Sequence, residues 1–132
     1  MKYLPYNPGV IPNKPKPKKG EIIRIEVSGY PPYKDRSFSI RNVNHKIYNR
    51  FSDLRSKAIE SMNGRAWSHG AISIKLILYA PSFEKGKSLV DYSGGIYDTL
   101  DGSSGSTFTY LPIAYNDDCQ ICRDESKFII SQ

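Results

Sequence analysis

"AISIKLILYA", residues 71–80, is the stretch on which the fold turns. Ile72, Ile74, Leu76 and Leu78 recur at every second position, the period of a β-strand. Ile77 and Tyr79 are apolar on the other side of the pleat, so the run is predicted to be a central strand covered on both faces. Upstream the period changes. Phe51, Leu54, Ala58 and Met62 are spaced by three and four residues, with Arg50, Arg55, Lys57 and Glu60 between them. That spacing predicts an amphipathic helix over 49–63 that ends at Asn63-Gly64. Downstream, "DYSGGIYDTLDG", residues 91–102, has an Asp or Ser ahead of a helix start, Ile96 and Leu100 on one face, and Gly102 where a C-terminal cap belongs. A short helix of about two turns is predicted there.

Further out the signals are again strand-like. In "EIIRIEVSG", residues 21–29, Ile23, Ile25 and Val27 alternate with Arg24 and Glu26, which predicts a half-buried first strand. "YPPYKDRSFSIRNVNHKIYNR", residues 30–50, lacks periodicity and reads as a long surface loop. "DDCQIC", residues 117–122, is predicted to enter a strand directly from two aspartates, and "KFIIS", residues 127–131, to form a final one. The fold class that follows is α+β, an α/β sandwich in which helices pack on a small mixed β-sheet.

The chain has 132 residues, enough for one domain with a core of its own. Residues 1–20 carry five prolines and no periodicity, so they are expected to form a flexible arm ahead of a single domain at 21–132. No apolar segment has the form of a signal peptide or a membrane span, and a soluble, cytoplasmic protein is expected. Of the net charge of +6, five positive charges lie in that arm, leaving +1 for the rest. The remainder is polarised. Residues 34–75 hold nine Lys/Arg against three Asp/Glu, and residues 76–132 hold four against eight. A basic middle beside an acidic end suits a surface that grips phosphates next to carboxylates that need a cation, and it also suits ordinary solvated charge.

Several site classes are poorly supported. Cys119 and Cys122 have the spacing of a zinc half-site or a redox pair, but His45 and His69 are distant and unpaired in sequence, and two ordinary reduced cysteines explain the pair as well. No nucleophile elbow and no glycine-rich phosphate loop with its lysine is present, and nothing points to a small-molecule cofactor. The carboxylates remain. Asp91 at a helix start, with Asp117 and Asp118 ahead of a strand, have positions that a divalent oxygen-ligand site uses. Each also has a structural explanation, Asp91 as a helix cap and "NDD" as a turn.

The order of these features resembles the RusA-like family of Holliday junction resolvases. The likeness runs over about residues 21–130, through "VSGYPPYKDR", the arginine-bearing helix, the long strand, "DYSGGIYDTLDG" and "NDDCQI". It implies a homodimeric endonuclease that depends on Mg²⁺ or Mn²⁺ and cuts branched DNA, with Asp118 as the later catalytic aspartate and Asp91 as an earlier one. Asp117 is expected beside them, and Asp98 or Asp101 as a further metal ligand. Lys34, Arg36, Arg41, Arg50 and Arg55 are expected to hold the DNA backbone. The family's Asp-x-Asp-Asn with a following lysine is reduced here to one aspartate and "YSGG". Gly94 and Gly95 then leave room for a phosphate to approach the helix N-terminus. A module that keeps the fold and binds DNA junctions or another macromolecule without cutting is the alternative.

Overall fold

In the computed structural model, residues 11–35, 37–101, 113–115 and 120–130 are described. Four elements follow in chain order: α1 (Tyr48–Met62), β1 (Ile72–Ala80), α2 (Leu89–Leu100) and β2 (Ile121–Ile130). The class is α+β.

α1 forms where the apolar stripe predicts it. Asn63, in the left-handed conformation at φ 51°, stops the helix and bonds its N–H back to Ile59 O. α2 starts two residues earlier than expected and has 12 residues, more than the two turns foreseen. The reason is that Ser88, not Asp91, is its N-cap, in a capping box closed by Asp91.

β1 and β2 pair in parallel, with a register shift between Ile72 and Ser73. The two runs expected at 117–122 and 127–131 are joined in one ten-residue strand. The expected first strand keeps its alternation, since Ile23, Ile25 and Val27 are half-buried and pack on the core. It makes no ladder among the described residues, where the sheet has two parallel strands and is not mixed. β1 is covered on one face only. Leu78 and Ala80 are buried, while Tyr79 is 63% exposed and Ile77 is exposed beside it. Both helices lie on the same face, so the second cover predicted for this strand is not supplied by any described residue.

Two core clusters fix the directions of the layers. Tyr48 and Phe51 of α1 and Tyr92 of α2 meet Leu78 and Ala80 at the end of β1. Leu54, Ala58 and Met62 of α1, with Ile96 and Leu100 of α2, meet Ile72 and Ile121 at the strand starts. The helices therefore run alongside each other and against the strands. Both helix C-termini and both strand N-termini share one end of the domain.

The second half of the expected arm belongs to the domain. Asn13 and Lys14 donate their N–H groups to Gly64 O at 2.9 and 3.0 Å, and Ala66 N–H returns a bond to Lys14 O at 3.0 Å.

Candidate functional site

A polar cleft of about 230 Å³ opens at the C-terminal end of α2, lined by Asp35, Ser39, Ile40, Arg41 and Asp98. Arg41 comes from the loop before α1. It donates through Nε and Nη2 to Asp98 O, at 3.0 and 2.5 Å, and through Nη2 to Asp101 Oδ1 at 2.8 Å. α2 has no basic residue in its own last turn, so Arg41 supplies the cation that a helix C-terminus favours.

Across the cleft, Asp35 is fixed by three donors. Its Oδ1 accepts from the hydroxyl and N–H of Ser37, and its Oδ2 lies 2.8 Å from His45 Nε2. The Ser37 hydroxyl foremost, then His45, holds this carboxyl far below the usual carboxylate range. His45 is buried, with Phe38 stacked on its ring. Its Nδ1 accepts the Ile47 N–H at 3.1 Å, which leaves the ring proton on Nε2, pointed at Asp35. With both nitrogens occupied, this histidine orients Asp35 and is not placed to act as a base.

The sequence-predicted residues separate between the ends of α2. Asp91 accepts from the N–H and hydroxyl of Ser88 at 2.9 and 3.1 Å, turning its carboxylate back toward the helix start. Asp98 lies seven residues on, roughly 10 Å along the axis at the usual rise. Ligands of one ion each stand about 2.0–2.6 Å from it, so Asp91 and Asp98 do not share a metal, contrary to the expected set. Asp117, Asp118, Arg36 and the cap position Gly102 lie outside the described residues. Among the described residues no group of three or more His, Cys, Asp or Glu side chains is gathered for a metal.

Two of the expected DNA-gripping arginines are engaged by other residues of the chain. Arg55 is 0% exposed and donates to Thr99 O at 2.9 Å, tying α1 to α2. Arg50 forms a two-pronged pair with Glu84, at 2.6 and 2.9 Å. Lys34 is exposed, and its N–H bonds Asp91 O. The glycine pair has no room for a phosphate either. A Cβ on Gly95 would stand 2.2 Å from Pro32 O, and one on Gly94 3.1 Å from Lys34 Cβ, so the chain's own residues 32–34 lie in that space.

Sequence reasoning missed the cluster around Glu84. Tyr92 OH donates to Glu84 Oε1 at 2.9 Å, and the Arg50 guanidinium sits over the rings of Tyr30 and Tyr33. Arg50 holds the Glu84 carboxyl below its ordinary range, and Glu84 in turn raises Arg50. Burial pushes the Tyr92 hydroxyl up to about 12. A phenol whose folded value is raised contributes stability in full below its unfolded value near 10 and loses it as pH climbs through the folded value. The stability advantage of wild type over Tyr92→Phe is therefore expected to shrink by about 2–3 kcal/mol between pH 10 and pH 12, read from urea melts at each pH. A constant difference across that window would sink the expectation.

No family model, curated protein or solved structure matches the chain. No helix among the described residues is long and apolar enough to cross a membrane.

Proposed function

We propose that this chain is a divalent-cation-dependent endonuclease acting on branched DNA, with its metal at the C-terminal end of α2. The observation that carries it is the meeting at this end of Asp98 and of the chain on either side of the Asp117-Asp118 pair. Tyr115 OH donates to Tyr97 O at 3.3 Å, one residue from Asp98. Gln120 donates to Ser68 O and Gly70 O at 2.8 and 2.9 Å, just ahead of β1. The N-terminus of a helix, where Asp91 sits, disfavours a cation, whereas the C-terminus tolerates one and already holds the Arg41 guanidinium.

Asp98 and Asp118 would hold the metal, and hard carboxylate oxygens suit Mg²⁺ or Mn²⁺. When bound there, such an ion would supply a Lewis acid that activates water and neutralises charge on the scissile phosphate. Arg41 fixes the helix end that carries Asp98, and Asp35, kept ionised by Ser37 and His45, adds negative charge to the opposite wall.

The test is cleavage of a labelled four-way junction at low salt with Mg²⁺ or Mn²⁺. Asp98→Asn and Asp118→Asn are each expected to lower the rate more than about a hundredfold, beyond what removal of a supporting group does. Asp91→Asn is expected to keep cutting while losing about 0.5–1 kcal/mol of stability, as a weakened cap does. Loss of cutting in folded Asp91→Asn would return the metal to the helix N-terminus. The second reading is a junction-binding module without chemistry, favoured by the absence of a gathered metal-ligand group among the described residues, and tight binding with no cutting in either metal would select it. The homodimer belongs to the same proposal, and light scattering on the same preparation checks it, a monomer mass counting against it.

A further inference from the structure

With Arg50 paired to Glu84 and Arg55 buried, the densest run of exposed cations among the described residues is Lys14, Lys16, Lys18 and Lys19, on residues 14–21. This segment is a loop closed at both ends on Arg65. At its start, Lys14 bridges to Arg65 in a parallel β-bridge. At its end, Glu21 pairs with the Arg65 guanidinium. Arg65 is itself anchored, donating to Met62 O and Ser61 O at 2.8 Å each, so the clamp is built on the C-terminus of α1. Inside the loop, Lys18 N–H bonds Glu21 Oε1 and Glu21 N–H bonds Lys18 O, while Gly20 takes φ 84° to make the turn.

The electrostatic result is one-sided. Glu21, the only acid of the segment, is engaged by Arg65 and by the Lys18 backbone. Lys16, Lys18 and Lys19 are exposed and have no ion-pair partner among the described residues. Pro15 and Pro17 hold the backbone extended between them, so the lysines stay spread. The loop sits on the C-terminus of α1, at the end of the domain where α2 presents Asp98.

We infer that loop 14–21 is a pre-formed strap that binds the phosphate backbone of nucleic acid, the macromolecular contact of the site proposed above. The inference rests on the nucleic-acid part of that proposal and not on its chemistry. Lysine ammonium groups read charge and not sequence, so the strap is expected to hold a four-way junction and a linear duplex alike.

Binding of both DNAs is measured in EDTA over a range of salt, for full-length wild type, the triple variant Lys16→Gln/Lys18→Gln/Lys19→Gln and the charge-preserving triple Lys→Arg. The slope of log affinity against log salt is expected to fall by about 2.7 in the glutamine variant, roughly 0.9 for each phosphate no longer neutralised, and to stay unchanged in the arginine variant. An unchanged slope in the glutamine variant overturns the strap, as does absence of DNA binding in wild type. Ile11 and Ile22 flank the loop and are exposed, so phosphatidylserine vesicles form a parallel arm, and binding to vesicles but not to DNA also overturns it. Salt-dependent binding through the strap by a protein that never cuts leaves the strap standing without the nuclease. Cutting with an unchanged slope leaves the nuclease without the strap.

Discussion

Arg55→Ala is expected to lose about 4 kcal/mol of stability, because it empties a large buried volume and strands a buried carbonyl at the same time. Arg55 is fully buried, its guanidinium bonded to Thr99 O and lying 5.8 Å from the Phe51 ring centroid. Thr99 is buried too, its hydroxyl donating to Gly95 O at 2.7 Å. The substitution thus disturbs the last turns of α2 as well as α1. Arg55→Lys keeps the charge but not the planar fork, and is expected to fall between wild type and alanine. Urea denaturation with two probes reads both. A loss below about 1 kcal/mol in Arg55→Ala would mean that the guanidinium is solvated and outside the core. DNA binding by the folded fraction is expected to be unchanged, which separates this residue from the exposed lysines.

Gly95→Ala is the second large effect, with an expected net loss of about 2–3 kcal/mol. Alanine in a helix interior normally gains about 1 kcal/mol over glycine, so the sign is opposite to the propensity. The added Cβ would lie 2.2 Å from Pro32 O, 2.4 Å from Pro32 C and 2.7 Å from Tyr33 C, all backbone atoms with no rotamer to yield. Residues 32–34 would have to lift from α2, and the bond of 2.9 Å from Lys34 N–H to Asp91 O would be lost with them. Gly94→Ala meets only the Lys34 side chain, at 3.1 Å, and is expected to stay within about 1 kcal/mol of wild type. If Gly95→Ala proved as stable as wild type, the close seat of the loop on the helix would be refuted.

These two residues also show how far the sequence could be read. Arg55 follows Phe51 by four residues and precedes Ala58 by three, so its place on the apolar stripe of α1 was visible in the spacing; charge alone made it look like a surface residue. The capping box was legible too. Ser88 stands three residues before Asp91, the spacing of a capping box, although an aspartate at a helix start suits a metal ligand equally well. Other features depend on contacts that no local pattern carries. Alternation at Ile23, Ile25 and Val27 fixes which side chains turn inward but not which strand edge they meet. Nothing near Gly95 announces that residues 32–34 will lie on it. The carboxylates divide between two ends of α2 because helix rise separates positions that look adjacent on the page.

Among the described residues β1 finds its ladder partner at residues 121–130, with α2 and twenty further residues between the two strands. During synthesis the strand at 72–80 therefore leaves the ribosome ahead of β2, and the edge that β2 pairs waits some fifty residues for it. A chain stopped between residues 100 and 121 holds the residues of both helices but not those of β2, the strand that pairs with β1 among the described residues, which makes such truncated or stalled products natural clients for chaperones that shield open strand edges.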